Sequence, residues 1–184
     1  MHSQPLNARS VRTRGAIKAA FASLLASHRY EELEVCHITV LAGIGRSTFY
    51  SHYPSVDALL TDSIAGPFST LADSILPEFV ESRLVKLLDH FWENRIASRE
   101  ILTGPSRRKI TGVLVRLIED RLKSSVRLRK NPVILPRRLM AIQLAEMLLA
   151  PVCAWLLGES RCSSAALAAG LRRASVALMR TDGL

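Results

Sequence analysis

Arg46, Ser47, Thr48, Tyr50 and His52 crowd into a short polar stretch whose side chains suit hydrogen bonding to a nucleic-acid groove. A guanidinium such as that of Arg46 donates two bonds to the acceptor edge of guanine. The hydroxyls of Ser47 and Thr48 bond to a base edge or a phosphate. Tyr50 and His52 lie further along and reach phosphate oxygens, which fixes register without reading sequence. A helix enters the major groove of B-DNA only if its leading end is slim and polar, and Arg46-Ser47-Thr48 supplies such an end. Phe49 is expected to turn the other way, into a small core with Leu24, Ile38 and Leu41.

These side chains need two short helices and a tight turn to present them. Apolar spacing predicts a helix from about Val35 to Ala42 and another from about Arg46 to Tyr53. Gly43 supplies the turn because it tolerates a positive φ. The pair has the form of a helix-turn-helix reader, and Cys36 falls on its groove-facing side. A first helix is predicted from about Val11 to Ser27, with Ser10 as its N-cap and Ile17, Ala20, Phe21, Leu24 and Leu25 as its apolar stripe. Pro54 ends the reading helix. Ser55 then caps a fourth helix, with Asp57 favourable in its first turn.

Gly66-Pro67 is expected to kink or break the chain, and the domain junction is placed there, within a connecting helix. The segments beyond read as helices at about 68–76, 82–102, 106–129, 136–158 and 163–180, the fourth kinked at Pro151. No stretch reads as a strand. The fold class is therefore all-α: an N-terminal three-helix helix-turn-helix domain over residues 1–60, and a C-terminal helical domain over 61–184.

Composition sets limits on the partners. With 48% hydrophobic and 22% charged residues, the 184-residue chain is globular. Its net charge of +9 is unevenly spread. Residues 1–60 hold six basic and four acidic side chains, whereas 105–138 hold eleven and two. The surplus thus lies mainly outside the helix-turn-helix. It fits long-range attraction to DNA, and it fits equally a solvated helix face. Three scattered cysteines, Cys36, Cys153 and Cys162, form no disulfide framework and suit a reducing cytoplasm. The N-terminus lacks the apolar core of a signal peptide. The run from Leu144 to Leu157 is too short to span a bilayer and reads as a buried helix. The five histidines share no metal-ligand spacing. No glycine-rich phosphate loop or Ser-His-Asp arrangement is present. No catalytic residue, metal or cofactor is expected.

From about Thr13 to Leu60 the sequence resembles the TetR family of bacterial transcriptional regulators. The matching residues include Ile17, Ala20-Phe21, Tyr30, Val35, Ile38, Ala42-Gly43-Ile44, Thr48-Phe49-Tyr50, His52-Tyr53 and Ser55. The family pattern at the turn and reading helix is Ala-Gly-Val-Ser-x-Gly-Thr-Leu-Tyr-x-His-Phe, which Ala42 to Tyr53 follow closely. Beyond residue 60 the likeness rests on length, helix content and Ala154-Trp-Leu-Leu-Gly158, similar to the end of the family's eighth helix. Several positions depart from the family, among them Ser47 in place of a common glycine. Gly45 replaces a capping serine, Glu34 stands where a Ser or Thr cap is usual, and Arg29 replaces a turn glycine. Val56 replaces a lysine that typically contacts phosphate. Arg9, Arg12 and Arg14 are the candidates to supply that contact.

The resemblance implies a homodimeric repressor that binds a palindromic operator in double-stranded DNA, with no membrane role, and a small-molecule effector of unknown identity that releases it. Leu88, Phe91, Trp92, Leu114, Ile118, Leu144 and Met147 are the candidate lining of an effector pocket, although such an apolar stripe is more often plain core. Leu149, Trp155, Leu167, Leu171 and Leu178 on the last two helices are the candidate dimer face. Two alternatives stand beside this expectation: a DNA-binding dimer without an effector, and a helical ligand-binding protein without DNA binding.

Overall fold

The computed structural model describes residues 4–124 and 135–181, which hold nine α-helices and no strand. The chain divides into two compact units, Met1–Ile64 and Ala65–Leu184. The end of the helix expected over 106–129 and most of the stretch before the one expected from 136 lie outside the described residues.

The first unit begins with α1, Gln4–Leu25. It starts well before the expected Val11, so Ser10 lies inside the helix and is not its cap. Pro5, in the first turn, costs no hydrogen bond there, and no residue from Asn7 to Ser10 breaks a helix. Ile17, Ala20, Phe21 and Leu25 form its buried stripe, as the spacing predicts. A single 3₁₀ turn, Tyr30–Glu32, leads to α2, Val35–Ala42. Gly43 then turns the chain at φ 64° and ψ 37°. Its N–H bonds to the Val40 carbonyl at 3.2 Å, and that of Ile44 to the Thr39 carbonyl at 3.0 Å. This is a Schellman closure, which needs a residue at ease with positive φ. The reading helix follows as α3, Arg46–His52.

Helix α4 spans Val56–Asp73. Ser55 caps it, its Oγ accepting the Ala58 N–H at 3.2 Å. Of the kink or break expected at Gly66 and Pro67, the break does not occur. Apolar residues on both sides of the pair, Ile64 and Phe68, are buried, and their packing outweighs the local helix-breaking tendency.

The second unit continues with α5 (Glu81–Glu93), α6 (Arg95–Thr103), α7 (Arg107–Ser124), α8 (Arg137–Leu157) and α9 (Ser164–Thr181). The stretch expected as one helix over 82–102 is two. Asn94 interrupts it, with its backbone N–H on the His90 carbonyl at 3.1 Å and its side-chain Nδ2 on the same oxygen at 3.0 Å. An asparagine that supplies its own side-chain donor competes with helix continuation. Helix α8 packs against α6, α7 and α9, and α5 packs against α9. Pro151 lies within α8 without ending it. Gly158, at φ 80°, ends α8 with the same closure as Gly43: the Glu159 N–H reaches the Ala154 carbonyl at 3.0 Å. Helix α8 is long and apolar enough to cross a membrane by composition, yet 56% of its most apolar window is buried in the structure. That is the pattern of a core helix, as expected, although the helix extends well beyond the Leu144 to Leu157 run and is not too short to span a bilayer.

Candidate nucleic-acid interface

The reading helix is held by one anchor. Phe49 is completely buried, and its ring lies edge-on to Tyr50 at 5.7 Å and 6.0 Å from Tyr53. With that side fixed, helical geometry turns Arg46, Ser47 and Tyr50 outward, and all three are exposed, Tyr50 by 55%. Thr48 and His52 are half-buried. Gly45 precedes the helix in extended conformation and brings no side-chain cap. The hydroxyls of Ser47 and Thr48 bond to no other described residue. That of Ser51 bonds back to the Thr48 carbonyl at 2.7 Å.

The core behind Phe49 differs from expectation. Ile38 belongs to it and has no exposed surface, but Leu41 is 53% exposed and Leu24 only half-buried. Helix α2 turns Ile38 and Thr39 inward, which leaves Leu41 and the 82%-exposed Val40 on the outer face. Tyr53, Leu59 and Leu60 are buried instead. With Leu24, His28, Cys36 and His37, Val40 and Leu41 line an open hollow of about 480 Å³.

Cys36 is half-buried on α2, with its Sγ bonded to Glu34 Oε2 at 3.4 Å. Glu34 precedes α2 without the usual hydroxyl. Part of the capping falls to His37, whose Nδ1 accepts the Glu34 N–H at 3.2 Å. This is the returning half of a capping box, with imidazole in place of the usual Glu or Gln.

Arg14, one of the three candidates for the missing phosphate contact, is exposed but already paired. Its Nη2 pairs with Asp62 Oδ2 at 3.2 Å, and its Nε donates to the Tyr53 hydroxyl at 3.4 Å. That hydroxyl donates to Asp62 Oδ2 at 2.7 Å. Lys18 Nζ lies 2.9 Å from the same carboxylate oxygen and 3.2 Å from the Asp62 carbonyl. Burial pushes the Asp62 carboxyl up, but the Tyr53 hydroxyl, Lys18 and Arg14 outweigh it and hold the group below the usual carboxylate range. Tyr53 moves oppositely: burial, reinforced by the bond to Asp62, raises its phenol. A second phenol braces the unit from the other side. Tyr30 donates to Asp57 on α4, and burial and that carboxylate push it far up. Arg9 and Arg12 are exposed on α1, and Val56 is half-buried at the start of α4.

No protein-family model matches the sequence, and no curated protein matches it significantly. Solved structures do. A TetR transcriptional regulator from Streptococcus agalactiae is similar at TM-score 0.57 and 26% identity, over 92% of this chain and 96% of that one. The chain has the fold of the TetR-family transcriptional regulators. Two further matches agree on the fold. A dihydroxyacetone kinase operon activator aligns at TM-score 0.59 and 18% identity, covering 94% of this chain and 98% of that one. A TetR-family transcriptional regulator from Streptomyces coelicolor aligns at 0.54 and 17%, covering 92% and 81%.

Within the TetR fold, the other candidate sites separate into packed and exposed positions. Leu88, Leu114, Ile118 and Leu144 have no exposed surface and Phe91 little. A side chain lining an open cavity keeps surface that water can reach, so the four fully buried ones are close-packed core here. Met147 is half-buried. Trp92 is exposed and its ring lies 4.7 Å from that of Trp155, tilted by 33°. Leu149, Trp155 and Leu171 are largely buried within the chain itself. Leu167 and Leu178 are half-buried. The exposed apolar side chains of α8 are Leu139, Ile142 and Leu157.

Proposed function

We propose that this protein is a DNA-binding transcriptional regulator that acts as a two-fold dimer in the cytoplasm. Each protomer lays α3 in the major groove of one half of a palindromic operator. The carrying observation is the α2–Gly43–α3 unit, in which buried Phe49 fixes a short helix whose outer face is Arg46, Ser47 and Tyr50. In this role Arg46 reads a base edge, Ser47 and Thr48 bond to a base or phosphate, and Tyr50 and His52 hold the backbone. A two-fold pair of such units reads half-sites about one or more helical turns apart.

Release by a small molecule is part of the same proposal and rests on the TetR resemblance. An effector must bind one spacing of the heads better than the other. Because Leu88, Leu114, Ile118 and Leu144 are close-packed, an effector bound among them has to open the core. The same packing favours a second reading, a DNA-binding dimer that takes no effector. Melting-temperature shifts across a chemically broad ligand set separate the two.

Selection of bound sequences from a random DNA pool tests the function directly. A palindrome with half-sites about one or more turns apart is expected. A pool that stays unenriched while the protein is folded and dimeric excludes a sequence-reading role.

A further inference from the structure

We propose that Asp62 and the Tyr53 hydroxyl are positioning residues that hold Arg14 as a phosphate-binding group beside the exit end of the reading helix. The inference rests on α3 being a DNA reader.

Three contacts fix the guanidinium. Nη2 meets Asp62 Oδ2 at 3.2 Å, Nε meets the Tyr53 hydroxyl at 3.4 Å, and the group lies 5.5 Å from the centre of the Tyr53 ring. Nη1 bonds to no described residue, and half of the side chain is exposed. One edge of the fork is thus fastened and the other is presented. Arginine suits this because its planar donors serve two acceptors at once, and fixing it beforehand lowers the entropy lost when a phosphate arrives.

The location is set by Tyr53, the residue that closes α3, with its N–H on the Phe49 carbonyl at 2.9 Å. The end of a groove-bound helix runs out toward the sugar-phosphate wall, where backbone contacts set register. The carboxylate does not cancel the cluster. Lys18 shares Asp62, so two cations face one anion and a positive charge remains. A Val at position 56 leaves the start of α4 without a cation, and Arg14 fills that gap from α1.

The sign of one substitution distinguishes positioning from bulk charge. Asp62→Asn removes a negative charge, so electrostatics at a distance alone tightens DNA binding. Loss of positioning weakens it. The experiment measures affinity of the full-length protein for its selected operator across a salt series. The variants are Arg14→Ala, Asp62→Asn, Tyr53→Phe and the double variant Arg14→Ala/Asp62→Asn, each checked by circular dichroism. Arg14→Ala is expected to lower the salt slope by about 1 per protomer. Asp62→Asn is expected to weaken binding about tenfold, the scale of one charged hydrogen bond. Tyr53→Phe, which keeps the ring, is expected to weaken it about threefold. Asp62→Asn should add no loss once Arg14 is absent.

Equal or tighter binding by folded Asp62→Asn overturns the proposal, as does a full loss that persists without Arg14. If Asp62→Asn fails to fold, Tyr53→Phe decides, and its unchanged affinity overturns the proposal. Wild-type protein that binds no DNA in a salt-dependent way removes the reader assignment and this inference together. Failure of the inference alone leaves wild-type binding intact.

Discussion

Arg46 and Tyr50 share the outer face of one helix but are assigned different work, and substitution should separate them. Arg46→Ala is expected to cost about 1–3 kcal/mol on the selected operator and to relax preference at one base position. Competition binding against operator variants and random DNA checks this, and an equal loss on both assigns Arg46 to the backbone instead. The thiols offer a second contrast. Burial pushes the Cys153 thiol up, with the nearby Arg107 opposing, and its Sγ takes part in bonds to Arg107 and the Leu102 carbonyl. Cys162 is exposed. Alkylation of native protein near neutral pH should therefore modify Cys162 and spare Cys153 until unfolding, as read by peptide mass spectrometry. Asp62 supplies a pH dependence. Its folded carboxyl lies below its ordinary value of 3.8, so its contribution to stability is complete above that value and is lost as pH falls through the lower folded one. Asp62→Asn should flatten the loss of melting temperature below about pH 4. The exposed tip of α3 is legible in sequence because helical order alone decides it once Phe49 points inward. The Arg14–Tyr53–Asp62 cluster is not, because its members lie 39 and 48 positions from Arg14 in the chain and only packing joins them.

Elements whose ends carry their own chemistry are the ones that sequence locates best. Gly43 and Ser55 mark their helix ends correctly, since a positive φ or a capping hydroxyl is a local requirement. Gly43→Ala should destabilise the protein by about 1–2 kcal/mol from the backbone alone, because no neighbouring atom lies within 4 Å of an added Cβ. Calorimetry measures this, and a neutral result contradicts the observed turn. Ser10 misleads because it has the residue type of a cap without a break before it. Asn94 is missed because periodicity runs unchanged through a single residue that diverts its own amide. Gly66 shows the converse, a weak helix former retained inside α4. Pro67 follows it directly, and a proline ring crowds the Cβ of a helical residue before it, so Gly66→Ala should forgo the usual gain of about 0.5–1 kcal/mol. A melting temperature that rises by the full amount contradicts that crowding.

For the whole molecule, the apolar pattern of α8 announces a core helix without saying which side meets a second copy. The helix is apolar nearly all round, and only packing separates buried Leu149 and Trp155 from exposed Leu139 and Ile142. If α8 forms the dimer face, Ile142→Asp should give monomers by sedimentation and lose operator binding while its helix content stays intact. A dimer that survives the substitution moves the interface elsewhere. The two tryptophans carry a consequence of another kind. Trp92 and Trp155 are the only indoles in the sequence and their rings lie 4.7 Å apart, so tryptophan emission, excited selectively over that of tyrosine, arises wholly from the Ala65–Leu184 unit. That emission will register events around α5 and α8 and pass over a rearrangement confined to the reading head. An unchanged spectrum on mixing with DNA is therefore silent about binding, and an optical label placed on α1 or α2 is what makes that half of the molecule visible.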